Sequence, residues 1–156
     1  MGMLIGSSFT TPSATQTSSP PAWSSRPEVA ANQAIAAFGL QQKGWMGFDM
    51  MPWVADLRQD YPQAFSLATT CSSTRPEFRE QAQTLLAEAP ARDRPRLRDY
   101  FAGKLGLEEL SCRRSGAGAG MCDKRSAFQE IYTMAHQACQ GDSSAGDLLP
   151  PNGILI

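Results

Sequence analysis

The amino-acid sequence predicts an all-α fold, a small irregular bundle of about five short helices with disordered or extended N- and C-terminal tails. Three observations carry this expectation. Apolar residues recur at three- and four-residue spacing, which lines up one face of a helix. A small polar residue followed by Arg-Pro opens three of these stretches. No segment of useful length alternates apolar with polar residues, the pattern of a strand with one buried face.

Residues 1–24 hold six Ser, four Thr and three Pro, and no charged residue precedes Arg26. Such a segment buries too little apolar surface to offset its ordering entropy, so a disordered tail is expected there. Phe9 and Trp23 are its exceptions and stand as anchors for a partner. The helical domain is placed at 25–141. Ser25-Arg26-Pro27-Glu28 reads as a capping box, with Pro27 in the first turn where its missing N–H costs nothing. The helix behind it, roughly 26–38, aligns Ala31, Ala34, Ile35 and Phe38, and Gly39 is suited to close it.

Lys43 to Phe48 contains two glycines around an aromatic pair, Trp45 and Phe48, and reads as a loop. Asp49 then serves as the cap of a helix aligning Trp53, Leu57 and Tyr61, and Pro62 restarts the chain toward Phe65 and Leu67. Thr74-Arg75-Pro76-Glu77 repeats the first cassette ahead of Phe78, Ala82, Leu85, Leu86 and Ala89. Asp93-Arg94-Pro95-Arg96 is a third variant, opening a helix with Leu97, Tyr100, Phe101 and Leu105 and with Gly106 as its stop. The last helix, about 123–140, begins at Asp123 and presents Phe128, Ile131, Tyr132, Ala135 and Cys139. Residues 142–156 are rich in Gly, Ser and Pro and end in Ile154-Leu155-Ile156, an extended tail able to dock on another chain.

A chain of 156 residues, 42% of them hydrophobic and 19% charged, has room for one core. No apolar run is long enough to span a membrane, and Gly6-Ser7-Ser8 ends the only apolar start before a Sec signal core is reached. The net charge of −1 conceals an uneven distribution: residues 91–125 hold nine Lys or Arg against five Asp or Glu. That region suits an anionic partner, but its cations are too mixed with acids to read as a nucleic-acid surface. Within it, Arg113 and Arg114 before the Gly116–Gly120 loop, and Lys124 and Arg125 after it, form a candidate partner-binding cluster. Trp45 and Phe48 complete the predicted binding set. Met46, Met50 and Met51 offer either an adaptable recognition surface or core packing, with core packing preferred.

Catalytic chemistry has thin support. The single histidine, His136, is read as a surface residue, and no cofactor motif is present. Cys122 is the one candidate nucleophile, since it follows a Gly-rich loop and precedes a helix whose N-terminal dipole lowers a thiol pKa. His136, fourteen residues further along that helix, is roughly 21 Å away and forms no dyad with it. The same geometry keeps Cys122 and Cys139 from sharing a metal or a disulfide, and no metal site is expected. A bridge from Cys112 to Cys122 is sterically permissible, but reduced thiols are the default without a Sec signal. The chain is thus read as leaning away from an enzyme.

The N-terminus does resemble something. With Leu4 and Ile5 near its start, seven Ser within residues 1–50 and no acid before Glu28, it is similar in composition to the uncleaved type III secretion signals of bacterial effector proteins. The resemblance covers residues 1–27 and implies a route, secretion into a host cell by a bacterium in a virulence setting, and not an activity; the chain itself is read as an interaction module that binds a protein partner. The alternatives are a structural connector of a phage particle or another assembly, located in a virion or the cytoplasm, and a small cysteine-dependent enzyme.

Overall fold

The computed structural model describes residues 23–69, 75–115 and 124–146, the last of these with side chains through Gln140. Its elements run α1 (Pro27–Phe38), α2 (Leu40–Asp49), α3 (Pro52–Asp60), α4 (Pro62–Thr69), α5 (Pro76–Glu88), a 3-10 turn (Ala91–Asp93), α6 (Arg94–Ser115) and α7 (Lys124–Gly146). The fold is all-α, and no strand occurs among the described residues. Two of its helices are long, 22 residues for α6 and 23 for α7. The tail segments 1–22 and 147–156, the 116–120 loop, and Thr74, Cys71, Cys122 and Asp123 lie outside the described residues.

Proline, not a cap side chain, sets the start of the predicted cassettes. Arg26 and Arg75 are the N-cap residues of α1 and α5, in extended conformation and without a side-chain cap bond, and proline follows each at the first helical position. Proline there presets φ and gives up an N–H that a helix start leaves unsatisfied anyway. The capping box at Ser25 is therefore not formed. A turn precedes the helix instead: Ser24 Oγ accepts from the Arg26 N–H at 3.0 Å, and the Ser24 N–H donates to Gln33 Oε1 at 2.9 Å. The turn follows from Trp23, which is buried and makes the chain enter the helix from the core side. Ser24→Ala should cost about 1 kcal/mol and Ser25→Ala less than about 0.5 kcal/mol, read by urea unfolding. In the third cassette, Asp93 closes the 3-10 turn, and its carboxylate accepts from Tyr61 Oη and from Arg96. It ties the start of α6 to the end of α3.

Gly39 closes α1 as expected, in the left-handed region at φ 61°. The stretch read as a loop is instead most of α2, broken once at Gly44 with φ 67° and ψ −172°. The turn after Gly44 returns to helix, so Trp45 and Asp49 share one face, Phe48 enters the core, and Met46 and Met50 point outward. Asp49 does not cap the next helix. Met51 holds that position, and Asp49 turns to α6.

Gly106 does not stop α6, which continues to Ser115. A Cβ at Gly106 would lie 3.0 Å from Leu40 Cδ1 and 3.1 Å from the Ala31 carbonyl oxygen, and one at Gly103 would lie 2.2 Å from Phe48 Cζ. Both glycines admit α1 and α2 to the surface of α6. With α1, α2 and α7 packed around it, α6 is buried on every side from Phe101 to Glu108. Glu109 near its end pairs with Arg125 near the start of α7, and Arg98 near its start approaches His136, so α6 and α7 run antiparallel.

The core is a chain of rings. Trp23 meets Phe38, Phe38 meets Phe48 and Trp53, and Phe48 stacks on Tyr100, with centroids 5.5 to 6.1 Å apart. Aromatic pairs at such spacing add about 0.5–1.5 kcal/mol each beyond burial. Trp23, expected to anchor the tail on a partner, anchors it to the protein's own core. Leu57 and Leu67 are buried as expected, while Phe65 stays 36% exposed beneath the Arg58 guanidinium.

Candidate functional site

A helix buried on all sides has no solvent for its polar side chains, yet the central turn of α6 carries Lys104 and Glu108, one helical turn apart. Lys104 is 2% exposed and Glu108 fully buried. Burying such charges is expensive unless they are paired. Lys104 is paired: its Nζ donates to Asp49 Oδ1 at 2.7 Å. The ammonium also lies over the rings of Trp45 at 4.8 Å and Tyr100 at 5.5 Å, the negative faces that attract a cation. Burial lowers the Lys104 pKa, against the pull of the Asp49 carboxylate.

Glu108 has no such partner: neither carboxylate oxygen accepts a hydrogen bond. Burial raises its pKa to about 7, although Lys124 and Arg125 oppose the shift. The native protein therefore binds more protons than the unfolded chain between the ordinary glutamate range and pH 7. Stability should fall as pH rises through that window. Glu108→Gln should remove this slope and make the protein more stable above pH 7 by about 1–3 kcal/mol, measured by urea unfolding at pH 5 and pH 8.

Both groups line a pocket of about 270 Å³ between α2, α4, α6 and α7, walled by Trp45, Phe65 and Phe128 and completed by Asp49, Thr69 and Lys124. A larger groove of about 510 Å³, between α4 and α5, is lined by Gln63, Ser66, Glu80, Gln81, Thr84 and Glu88. None of these six residues is buried, so the groove has no polar group held away from water. The α6 pocket is the candidate site because its chemistry has been installed at an energetic cost.

The predicted basic cluster divides. Arg113 donates to Glu109 at 3.3 Å and also to Asn32 Oδ1, and Arg125 donates to the other Glu109 oxygen at 2.9 Å. These bonds hold the Glu109 carboxyl below the usual carboxylate range, the Arg125 bond most of all. Arg114 is exposed, and Lys124 lines the pocket. Two of the four cations thus brace α6 against α7 and α1. Of the predicted aromatic pair, Trp45 lines the pocket and donates its indole N–H to Ser111 Oγ at 3.4 Å, whereas Phe48 is a core residue and offers no surface.

His136, expected at the surface, is buried, 3.4 Å from Tyr132 Oη. Burial lowers its pKa. The Tyr132 hydroxyl donates to the Ser24 carbonyl, so this pair fastens the entering chain to α7. Cys139 is a buried thiol, and Cys112 is disulfide-bonded, which overturns the expectation of reduced thiols. The partner cysteine lies outside the described residues, as does Cys122. Among the described residues no group of three or more His, Cys, Asp and Glu is placed to hold a metal ion, and no helix is long and apolar enough to cross a membrane.

Sequence reasoning missed Lys104, Asp49 and Glu108. One signal was available: Lys104 and Glu108 interrupt a stretch of α6 whose other residues are apolar or glycine, which is anomalous for a solvated face. Comparison with protein-family models, curated proteins and solved structures found no match to this chain.

Proposed function

We propose that this chain is an interaction module, delivered by a bacterium into a host cell, that binds a partner protein through the outward face of α2. The observation that carries the reading is the exposure of Met46 and Met50, at 81% and 73%. They stand one turn apart on a helix whose opposite side fills the core. Methionine is flexible and polarisable, and it recurs on surfaces that adapt to a partner. The sequence alternatives for these methionines were recognition and core packing; only Met51 packs against the core.

Delivery is supported by the composition of residues 1–27, rich in Ser and lacking acids. The cationic region 91–125 supports the partner reading less, since Arg113 and Arg125 are engaged within the protein. A connector of a phage particle would use the same α2 face toward a neighbouring subunit. A cysteine-dependent enzyme would rest on Cys122, which lies outside the described residues, since Cys139 is buried and Cys112 is bonded.

Methionine oxidation footprinting tests the reading. Purified protein treated with peroxide should oxidise Met46 and Met50 faster than Met51. In the receiving cell, both should be protected by about tenfold or more, as expected of side chains buried in an interface. Equal oxidation in both settings would refute a partner on this face.

A further inference from the structure

The α6 pocket presents four charged groups, and only two of them form an ion pair. Asp49 and Lys104 form an ion pair at 2.7 Å, so together they offer no net charge. Glu108 is fully buried with both oxygens lacking a hydrogen-bond partner, and Lys124 on α7 makes no ion pair among the described residues. Glu108 is therefore the buried group left without a hydrogen bond, and half-buried Lys124, which faces it without an ion pair, is the second open group of an aromatic-walled pocket. A buried carboxylate without hydrogen bonds is costly, and proteins keep such groups where a ligand completes them.

We propose that this pocket binds a small zwitterionic amino acid with an apolar side chain. Its ammonium group would donate to Glu108 and its carboxylate would pair with Lys124. The side chain would lie against Trp45, Phe65 and Phe128. The site is distinct from the outward face of α2, and Trp45 and Asp49 on that helix join the two. Size agrees: about 270 Å³ is the share of about nine waters at ~30 Å³ each, enough for a body as large as phenylalanine. Charge agrees as well. A simple amine would leave Lys124 unanswered, and a simple carboxylic acid would set a second carboxylate beside Glu108. Only the zwitterion satisfies both and leaves the pocket neutral. Arg125, which also faces Glu108 from α7, is held by Glu109 and does not compete.

The test is isothermal titration of the full chain with phenylalanine, phenethylamine and 3-phenylpropionate, which share a body and differ only in their charges. Phenylalanine should bind at least tenfold more tightly than either singly charged analogue. Glu108→Gln should weaken phenylalanine at least tenfold and bring it level with phenylpropionate. Lys124→Met should weaken it and bring it level with phenethylamine. Glu108→Gln removes an unpaired buried charge, so it should fold, and the pH 8 unfolding measurement verifies that. Equal affinity for phenylalanine and phenethylamine, or undiminished binding in Glu108→Gln, would overturn the assignment. So would the absence of heat with all three ligands. None of these outcomes bears on the protection of Met46 and Met50, so this site and the α2 face stand or fall separately.

Discussion

Replacing Asp49 by Ala should destabilise the protein by about 3–5 kcal/mol, the usual cost of removing one partner from a buried ion pair. Lys104 is the reason. Lys104 is 2% exposed, and among the described residues Asp49 Oδ1 is its one hydrogen-bond acceptor. The rings of Trp45 and Tyr100 soften the loss of that acceptor without replacing it. The reverse change, Lys104→Met, should cost less, about 1–2 kcal/mol, because the Asp49 side chain is 23% exposed and retains some water. The double variant should recover most of the loss, since an apolar residue of similar length suits the aromatic surroundings. The sign of the pH dependence is also fixed. In Asp49→Ala, Lys104 sheds its proton more readily than it does in the unfolded chain. The native state then binds fewer protons, and the deficit should shrink as pH rises above neutrality. Urea unfolding at pH 7 and pH 9 reads both effects, and an Asp49→Ala protein as stable as the parent would refute the pairing.

The second large effect is expected at Gly103. Glycine to alanine inside a helix normally stabilises by about 1 kcal/mol. Here the new methyl would sit 2.2 Å from Phe48 Cζ and 2.6 Å from Cε1. The Phe48 ring has no room to retreat, because Phe38, Trp53 and Tyr100 surround it with centroids 5.8, 5.8 and 6.1 Å away. Overpacking of about 3 kcal/mol should outweigh the helix gain, leaving Gly103→Ala about 2 kcal/mol less stable. Gly106→Ala is the milder comparison: its Cβ would meet the flexible end of Leu40 at 3.0 Å but also the Ala31 carbonyl oxygen at 3.1 Å, so α1 must give by a few tenths of an ångström, and the net loss should be about 1 kcal/mol, smaller than at Gly103. Phe48→Leu should rescue Gly103→Ala non-additively. Thermal unfolding of the four variants decides the matter.

Helix placement was legible where it depended on periodicity. The stripes of Ala31, Ala34 and Ile35, of Phe78, Ala82, Leu85 and Leu86, and of Phe128, Ile131, Tyr132 and Ala135 are all buried. It was not legible where a glycine had two meanings. Gly39 and Gly106 both follow an apolar stripe, and only contact with Leu40 and Ala31 reveals that Gly106 is a packing position. Lys43 to Phe48 misled for a related reason: Gly44 does break the helix, but one residue's φ cannot be distributed over the six. The site was hidden because pairing is non-local. Asp49 and Lys104 are 55 residues apart, and nothing in the sequence around Asp49 separates a cap from a buried counter-ion. The Arg125 pair with Glu109 joins two helices and was hidden in the same way, whereas Arg113 and Glu109 are four residues apart on one helix face, a spacing the sequence does show.

The central claim is that α2 keeps its methionine face for a different protein. Light scattering coupled to size-exclusion chromatography tests it most directly, on the full chain and on a Met46→Glu/Met50→Glu variant. The account predicts a monomer of 16.9 kDa for both. A defined oligomer of the parent chain that the double variant dissolves would contradict it, and would make the face a contact between copies.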